Sequence, residues 1–177
     1  IAIDAAKIIS KKKPDLNFLF IFVGSAQNRN NLLRKLEKKI TESKLENRFS
    51  FCGHLMDMPA VYSTADIVLS TSIEPEAFGR VSAEASSMTK PIIASNHGGS
   101  REIIENDITG WLVEPGNSEL LADKIIQVLD LPQNKKDLVG KNARKRVVEK
   151  FSLQQMLNKT LSVYEELIEK NKKNSNN

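Results

Sequence analysis

Apolar positions along this chain fall into two patterns, short continuous runs and stripes at helical spacing, and the two alternate to about residue 129. Ile1, Ala5, Ile8 and Ile9 predict a helix over 1–12 that Pro14 stops. Residues 17–23 read as a strand, with an unbroken apolar run from Phe18 to Val23 closed by Gly24 and Ser25, the pattern of a buried strand. A polar turn over 26–31 leads into a helix with Leu32, Leu33, Leu36 and Ile40 on one side and lysines on the other. Strands follow at 49–52, 66–70, 91–95 and 110–114, and helices at 59–64, at 80–87 and from Ser100, as cap, through Ile104. The turn Pro115, Gly116, Asn117 opens a helix carrying Leu121, Ile125, Val128 and Leu129, which Pro132 breaks.

Alternation of this kind predicts an α/β fold: a parallel sheet with helices on both faces, joined by right-handed crossovers. The carboxyl ends of its strands then share one edge. Gly24, Gly53, residues 72–79 and residues 96–99 are expected along it. Two more helices follow at 135–150 and 152–170, the second opened by a capping box of Ser152 and Gln155, with Phe151 stapled to Met156. Its stripe, Leu157, Leu161, Tyr164 and Ile168, needs a surface to lie on. The expected organisation is a domain over 1–151, a separate helix over 152–171 and a disordered polar tail over 172–177.

Composition narrows the class. A chain of 177 residues with 40% hydrophobic and 27% charged residues suits one globular domain, and no apolar run nears the ~20 residues of a membrane span. The single cysteine, Cys52, rules out an internal disulfide, reads as a small core hydrophobe and fits a reducing cytoplasm. A net charge of +4 is spread over helical lysines, which reads as solvated faces or as weak attraction to an anionic membrane surface. With 6% aromatic residues and no reader motif, nucleic acid is not an expected partner. A chain that opens on Ile1 rather than Met is expected to be a fragment.

The chemistry concentrates between Ser72 and Ala85, where a strand turns into a helix at the expected ligand edge. Gly79 allows close backbone approach, and the amides of the first helical turn point outward without partners, a place that suits phosphate. Glu76 precedes the helix and Glu84 lies inside it, eight positions on, with its side chain tilted back toward the helix start. Amides and the cation of Arg80 suit a diphosphate, while two carboxylates suit sugar hydroxyls, so the set matches a nucleotide-sugar. The plainer alternative is an early glutamate that only favours the helix dipole.

Glu76 and Glu84 stand in an E-x7-E pattern, and around them lie Ser72, Phe78-Gly79-Arg80-Val81, Glu84-Ala85, Pro91-Ile92-Ile93-Ala94-Ser95, Gly98-Gly99, Glu102-Ile103, Thr109-Gly110 and Pro115-Gly116. On these residues the chain resembles the retaining glycosyltransferases of family 4. The resemblance implies the GT-B architecture, two Rossmann-like domains across a cleft, of which this chain looks like the carboxyl-terminal, donor-binding one. It implies that Glu76 accepts hydrogen bonds from donor-sugar hydroxyls and Glu84 from the ribose. Ala77, Phe78, Gly79, Arg80 and Val81 would hold diphosphate and sugar through their amides, and Gly53, His54 and Leu55 would lie near the base.

Further implications are a nucleoside-diphosphate sugar of uridine or guanosine as substrate, transfer of a hexose with retained configuration, no metal or other cofactor in this domain, and a part in polysaccharide or lipopolysaccharide synthesis. Catalysis would be electrostatic stabilisation of the leaving diphosphate, with Glu76 as a positioning acceptor rather than a nucleophile. The implied partners are the donor, an N-terminal acceptor domain braced by the final helix, and peripherally a membrane, in the cytoplasm. This piece alone would bind nucleotide weakly and transfer nothing.

The sequence also departs from the family. Members of the family usually carry a diphosphate-clamping Arg and Lys in the loop just before the helix that opens here at Ile1, a loop this sequence does not include; Glu74 adds a second acid beside Glu76, and Ser87-Met88-Thr89-Lys90 replaces a glycine turn. Other readings stay open. His54 is a nucleotide contact or a loop histidine, His97 has no catalytic partner beside it, and Gly98-Gly99 turns the chain toward the donor or simply turns it. Tyr62 and Trp111 read as packing residues. A non-catalytic nucleotide-sugar-binding module and a sugar-nucleotide epimerase of the same architecture are the alternative functions, the latter disfavoured by Gly79-Arg80-Val81.

Overall fold

The computed structural model describes residues 1–25 and 30–174. Elements run α1 (Ala2–Lys12), β1 (Phe20–Phe22), α2 (Asn30–Glu42), a 3-10 turn (Glu46–Arg48), β2 (Phe49–Phe51), α3 (Met58–Thr64), β3 (Val68–Ser70), α4 (Arg80–Ser87), β4 (Ile92–Ser95), α5 (Ser100–Ile103), β5 (Trp111–Val113), α6 (Ser118–Leu129), α7 (Gln133–Phe151) and α8 (Leu153–Asn174). The order is the alternation expected from the hydrophobic pattern. Residues 26–29 of the expected polar turn and 175–177 of the expected tail lie outside the described residues.

All strand pairings are parallel. The ladders form two groups, β1–β2 and β3–β4–β5, with Phe20 opposite Phe49, Val68 opposite Ile92 and Ile93 opposite Trp111. β1 is shorter than the apolar run that announced it because its ladder with β2 covers three residue pairs.

Period-two alternation sorts the core of the larger sheet into two faces. Ile93, Trp111 and Val113 point to one side and pack with Ala5 and Ile9 of α1 and Leu121, Ala122, Ile125 and Val128 of α6. Val68, Ile92 and Ala94 point to the other and pack with Tyr62 of α3, Ala85 of α4, Ile103 of α5 and Val147 of α7. Helices therefore cover both faces of β3–β4–β5. A third cluster joins Ile3 and Ala6 of α1 to Ile40 of α2 over Phe20 and Phe49. Phe20, Phe22, Phe49 and Phe51 stack in series on β1–β2, centroids 5.1–5.8 Å apart. Beyond them Leu19 and Ile21 stay 55% and 51% exposed.

Some local expectations need correction. Gly99, not Ser100, takes the cap position of α5, and the buried Ser100 hydroxyl pairs instead with that of Ser82, 3.1 Å away. Cys52 is exposed rather than buried: its thiol lies 3.7 Å from the Ser50 hydroxyl, on the side of β1–β2 where Ile21, the partner of Ser50, is also exposed. The Ser152 hydroxyl accepts from the Gln155 amide at 3.4 Å, one half of the capping box. The Phe151 ring meets Phe78 edge-on at 6.1 Å, and Met156 is left 57% exposed. α8 packs on α7 and leaves Leu157, Leu161, Tyr164 and Ile168 exposed. Among the described residues no helix is long and apolar enough to cross a membrane.

Candidate functional site

β3 ends at the buried Ser70, and the chain crosses to α4 through residues 71–79. Gly79 makes the turn possible: it is left-handed, with φ 83° and ψ 53°, a conformation that is unstrained only without a side chain. No side chain caps α4. The first amides of this eight-residue helix are left without a side-chain acceptor, and the partial positive charge of the helix start is uncompensated by a capping oxygen.

Glu76 is half-buried beside this helix start, held from two directions. Its carboxylate accepts from the Ser72 hydroxyl, and its backbone carbonyl accepts from the Gly99 amide at 2.8 Å. The His97 Nε2 in turn lies 3.0 Å from the Ser72 carbonyl, so this histidine ties the loop after β4 to the loop after β3. Gly98 and Gly99 stand directly behind the turn. A methyl group on Gly98 would overlap the Glu76 backbone, and one on Gly99 would overlap the Phe78 carbonyl. The pair thus backs the turn, with Gly99 buried and Gly98 exposed.

Glu84 is partly buried on α4 and spoken for at both oxygens. Its Oε2 accepts from the Tyr62 hydroxyl at 2.9 Å, and its Oε1 from the Arg80 guanidinium at 3.1 Å. Arg80 therefore points back along its own helix to Glu84, an i,i+4 ion pair whose arginine side chain is 83% exposed. Tyr62 is only 6% exposed. Burial first, then the bond to Glu84 and its charge, hold the phenol protonated well above its ordinary range, against a smaller opposing effect of Arg80.

The structure thus brings Glu76, Ala77, Phe78, Gly79, Arg80, Val81, Glu84, Gly98 and Gly99 together where the loops after β3 and β4 meet. Ala77, the Phe78 ring and Glu74 are exposed, and Gly79 is buried. Gly53, His54 and Leu55 are all exposed at the carboxyl end of the other sheet. There the Gly24 amide donates to the Gly53 carbonyl at 2.7 Å, joining two of the loops expected on one edge. At the helix exit Thr89 takes the left-handed position itself, φ 58°, where a glycine turn would do so without strain.

Tyr62 is the residue that reading the sequence as packing leaves out. Its ring does pack, yet a buried phenol needs a partner for its hydroxyl, and that requirement was the available signal. A hollow of ≈ 450 Å³ between Ser10, Asn17 and residues 44–48 lies at the amino ends of β1 and β2, away from these loops. It shares no residue with the Glu76 to Glu84 turn.

Comparison with known proteins agrees on a single family. The family model described as glycosyl transferases group 1 matches residues 1–146. The chain is 28% identical over 162 residues to the capsular polysaccharide biosynthesis glycosyltransferase CapM of Staphylococcus aureus, covering 92% of this chain and 41% of CapM. A glycosyltransferase structure from Rickettsia africae ESF-5 superimposes with a TM-score of 0.87 at 37% identity, covering 94% of this chain and 43% of that one. Anabaena HepE, crystallised with UDP-glucose, superimposes with a TM-score of 0.82 at 32% identity, covering 92% of this chain and 44% of its own. The chain spans less than half the length of each.

Proposed function

The chain belongs to the group 1 glycosyl transferases and has the Rossmann-like fold of the carboxyl-terminal half of a GT-B enzyme, and we propose that it binds the donor in a retaining transfer from a nucleoside-diphosphate sugar. The observation that carries this reading is the α4 start: uncapped amides between two supported carboxylates, Glu76 and Glu84. A diphosphate needs the first and the hydroxyls of a sugar and a ribose need the second. UDP-glucose, the ligand in HepE, has all of these parts.

In this reading Glu76 accepts from hexose hydroxyls and holds the sugar over the turn. Glu84 accepts from the ribose, the amides of residues 77–81 hold the diphosphate, and Gly53, His54 and Leu55 meet the base. As the sugar–phosphate bond lengthens, negative charge grows on the departing diphosphate. Amides already aimed there stabilise the transition state more than the ground state. Losing one such preorganised donor costs about 2.7–4 kcal/mol of barrier. With Arg80 turned toward Glu84, the amides are the donors already placed for the diphosphate within this half. No metal is assigned a role in it.

The remainder of the reading concerns the whole protein. The exposed stripe of α8 is proposed to cover part of an acceptor-binding half, so the 177-residue chain alone binds nucleotide without transferring sugar. The pathway proposed is polysaccharide or lipopolysaccharide synthesis in the cytoplasm, at the periphery of a membrane. Calorimetric titration with a panel of uridine and guanosine diphosphate sugars tests the site, repeated on Glu84→Ala. An affinity loss of about tenfold or more is expected from removing charged hydrogen bonds. Unchanged binding in the variant would sink the ribose assignment.

A further inference from the structure

We propose that Tyr62 is a positioning residue for the donor site: its hydroxyl fixes the Glu84 carboxylate in the orientation that reads the ribose hydroxyl pair. The inference rests on the assignment of Glu84 to the ribose and adds the element that makes that carboxylate selective. A carboxylate offers about four acceptor positions on its two oxygens. Here one bond falls on each oxygen, from Tyr62 at Oε2 and from Arg80 at Oε1, leaving a further position on each for a vicinal diol.

The two partners differ in stiffness. Arg80 is 83% exposed on the same helix as Glu84, and an exposed i,i+4 pair of this kind stabilises little and exchanges with water. Tyr62 comes from α3, 22 residues away, and its ring is packed in the core with Val68, Ala85 and Ile92. A ring locked at its base presents its hydroxyl from a fixed point. Without it, Glu84, 37% exposed, recovers rotamer freedom that must be lost again when ligand binds. The phenol also stays protonated well past neutrality, so it donates to Glu84 throughout the ordinary pH range.

The inference demands a loss of selectivity, not only of affinity. Uridine diphosphate and 2′-deoxyuridine diphosphate are titrated by calorimetry against the protein, Tyr62→Phe and Glu84→Ala, with inorganic pyrophosphate as a probe that carries no ribose. Phe keeps the buried ring, and thermal melting of each variant reports whether the fold is kept. Expected is a preference for the ribonucleotide that disappears in Glu84→Ala and falls about three- to tenfold in Tyr62→Phe, the net size of an ordinary hydrogen bond, while pyrophosphate affinity stays put. Loss of the preference in Glu84→Ala together with its full retention in Tyr62→Phe overturns the role of Tyr62 and leaves the ribose assignment standing. Retention in both overturns the assignment itself. An equal fall for pyrophosphate and both nucleotides in Tyr62→Phe shows a merely structural tyrosine and also overturns the inference.

Discussion

The three-stranded and two-stranded sheets come from the same kind of sequence, short apolar runs closed by small residues, yet they reach different degrees of burial. Every residue of β4 is buried, and β3 and β5 are buried at both ends. No residue of β1 or β2 is buried fully, and Leu19 and Ile21 look outward from the bare face. The difference lies in cover: helices pack on both faces of β3–β4–β5, whereas α1 and α2 cover one face of β1–β2. Packing on both faces fixes the loops at the strand ends. The turn that carries Glu76 and Glu84 grows from the well-covered sheet, and the loop of Gly53, His54 and Leu55 grows from the other. Sites that must hold geometry within about half an ångström belong on the first kind of support.

Core truncation should expose the contrast most strongly. Ile93→Ala is expected to cost about 2–5 kcal/mol in denaturant unfolding, because Ile93 has no exposure and joins α1 and α6 to the sheet. Ile21→Ala should stay within about 0.5 kcal/mol. Equal losses would break the comparison.

Glycine substitution is the next largest effect. Gly99→Ala forces a methyl group into the Phe78 backbone and is expected to cost about 1–3 kcal/mol while displacing the turn. Gly53→Ala meets nothing within 4 Å and pays only for its φ of +66°, about 1 kcal/mol. Urea melts of the two variants, with nucleotide titration of each, separate steric from conformational cost.

The smallest effect is electrostatic and concerns the contact between α3 and α4. The native state holds the Tyr62 proton more tightly than the unfolded chain does, so the associated stability is complete below the ordinary phenol value of 10.0 and is lost as pH rises above it toward the higher native value. Over that window the stability advantage of the protein over Tyr62→Phe should shrink steadily as pH rises. A constant difference would mean that the hydroxyl is not held.

The parts of this fold that sequence predicts well are those set by local pattern. The 80–87 helix and the strands at 92–95 and 111–113 appear within a residue or two of expectation, because period and punctuation settle them without distant contacts. The glycine pair at 98 and 99 was legible as a turn. That its missing side chains make room for the Glu76 and Phe78 backbone was not, since the room is created by a loop from another strand. The same holds for the Tyr62 bond to Glu84, for the Ser82–Ser100 pair that took Ser100 from capping, and for Cys52, which is exposed on the side of β1–β2 that Ile21 shares. In each case the deciding partner lies far along the chain.

The most direct test of the central claim is backbone-amide NMR during titration with uridine diphosphate. The largest shifts are expected at Ala77, Phe78, Gly79, Arg80 and Val81, with smaller ones at His54 and Leu55. Amides at 77–81 that stay unmoved while shifts gather around Asn17 and residues 44–48, at the hollow on the far end of β1 and β2, would contradict it.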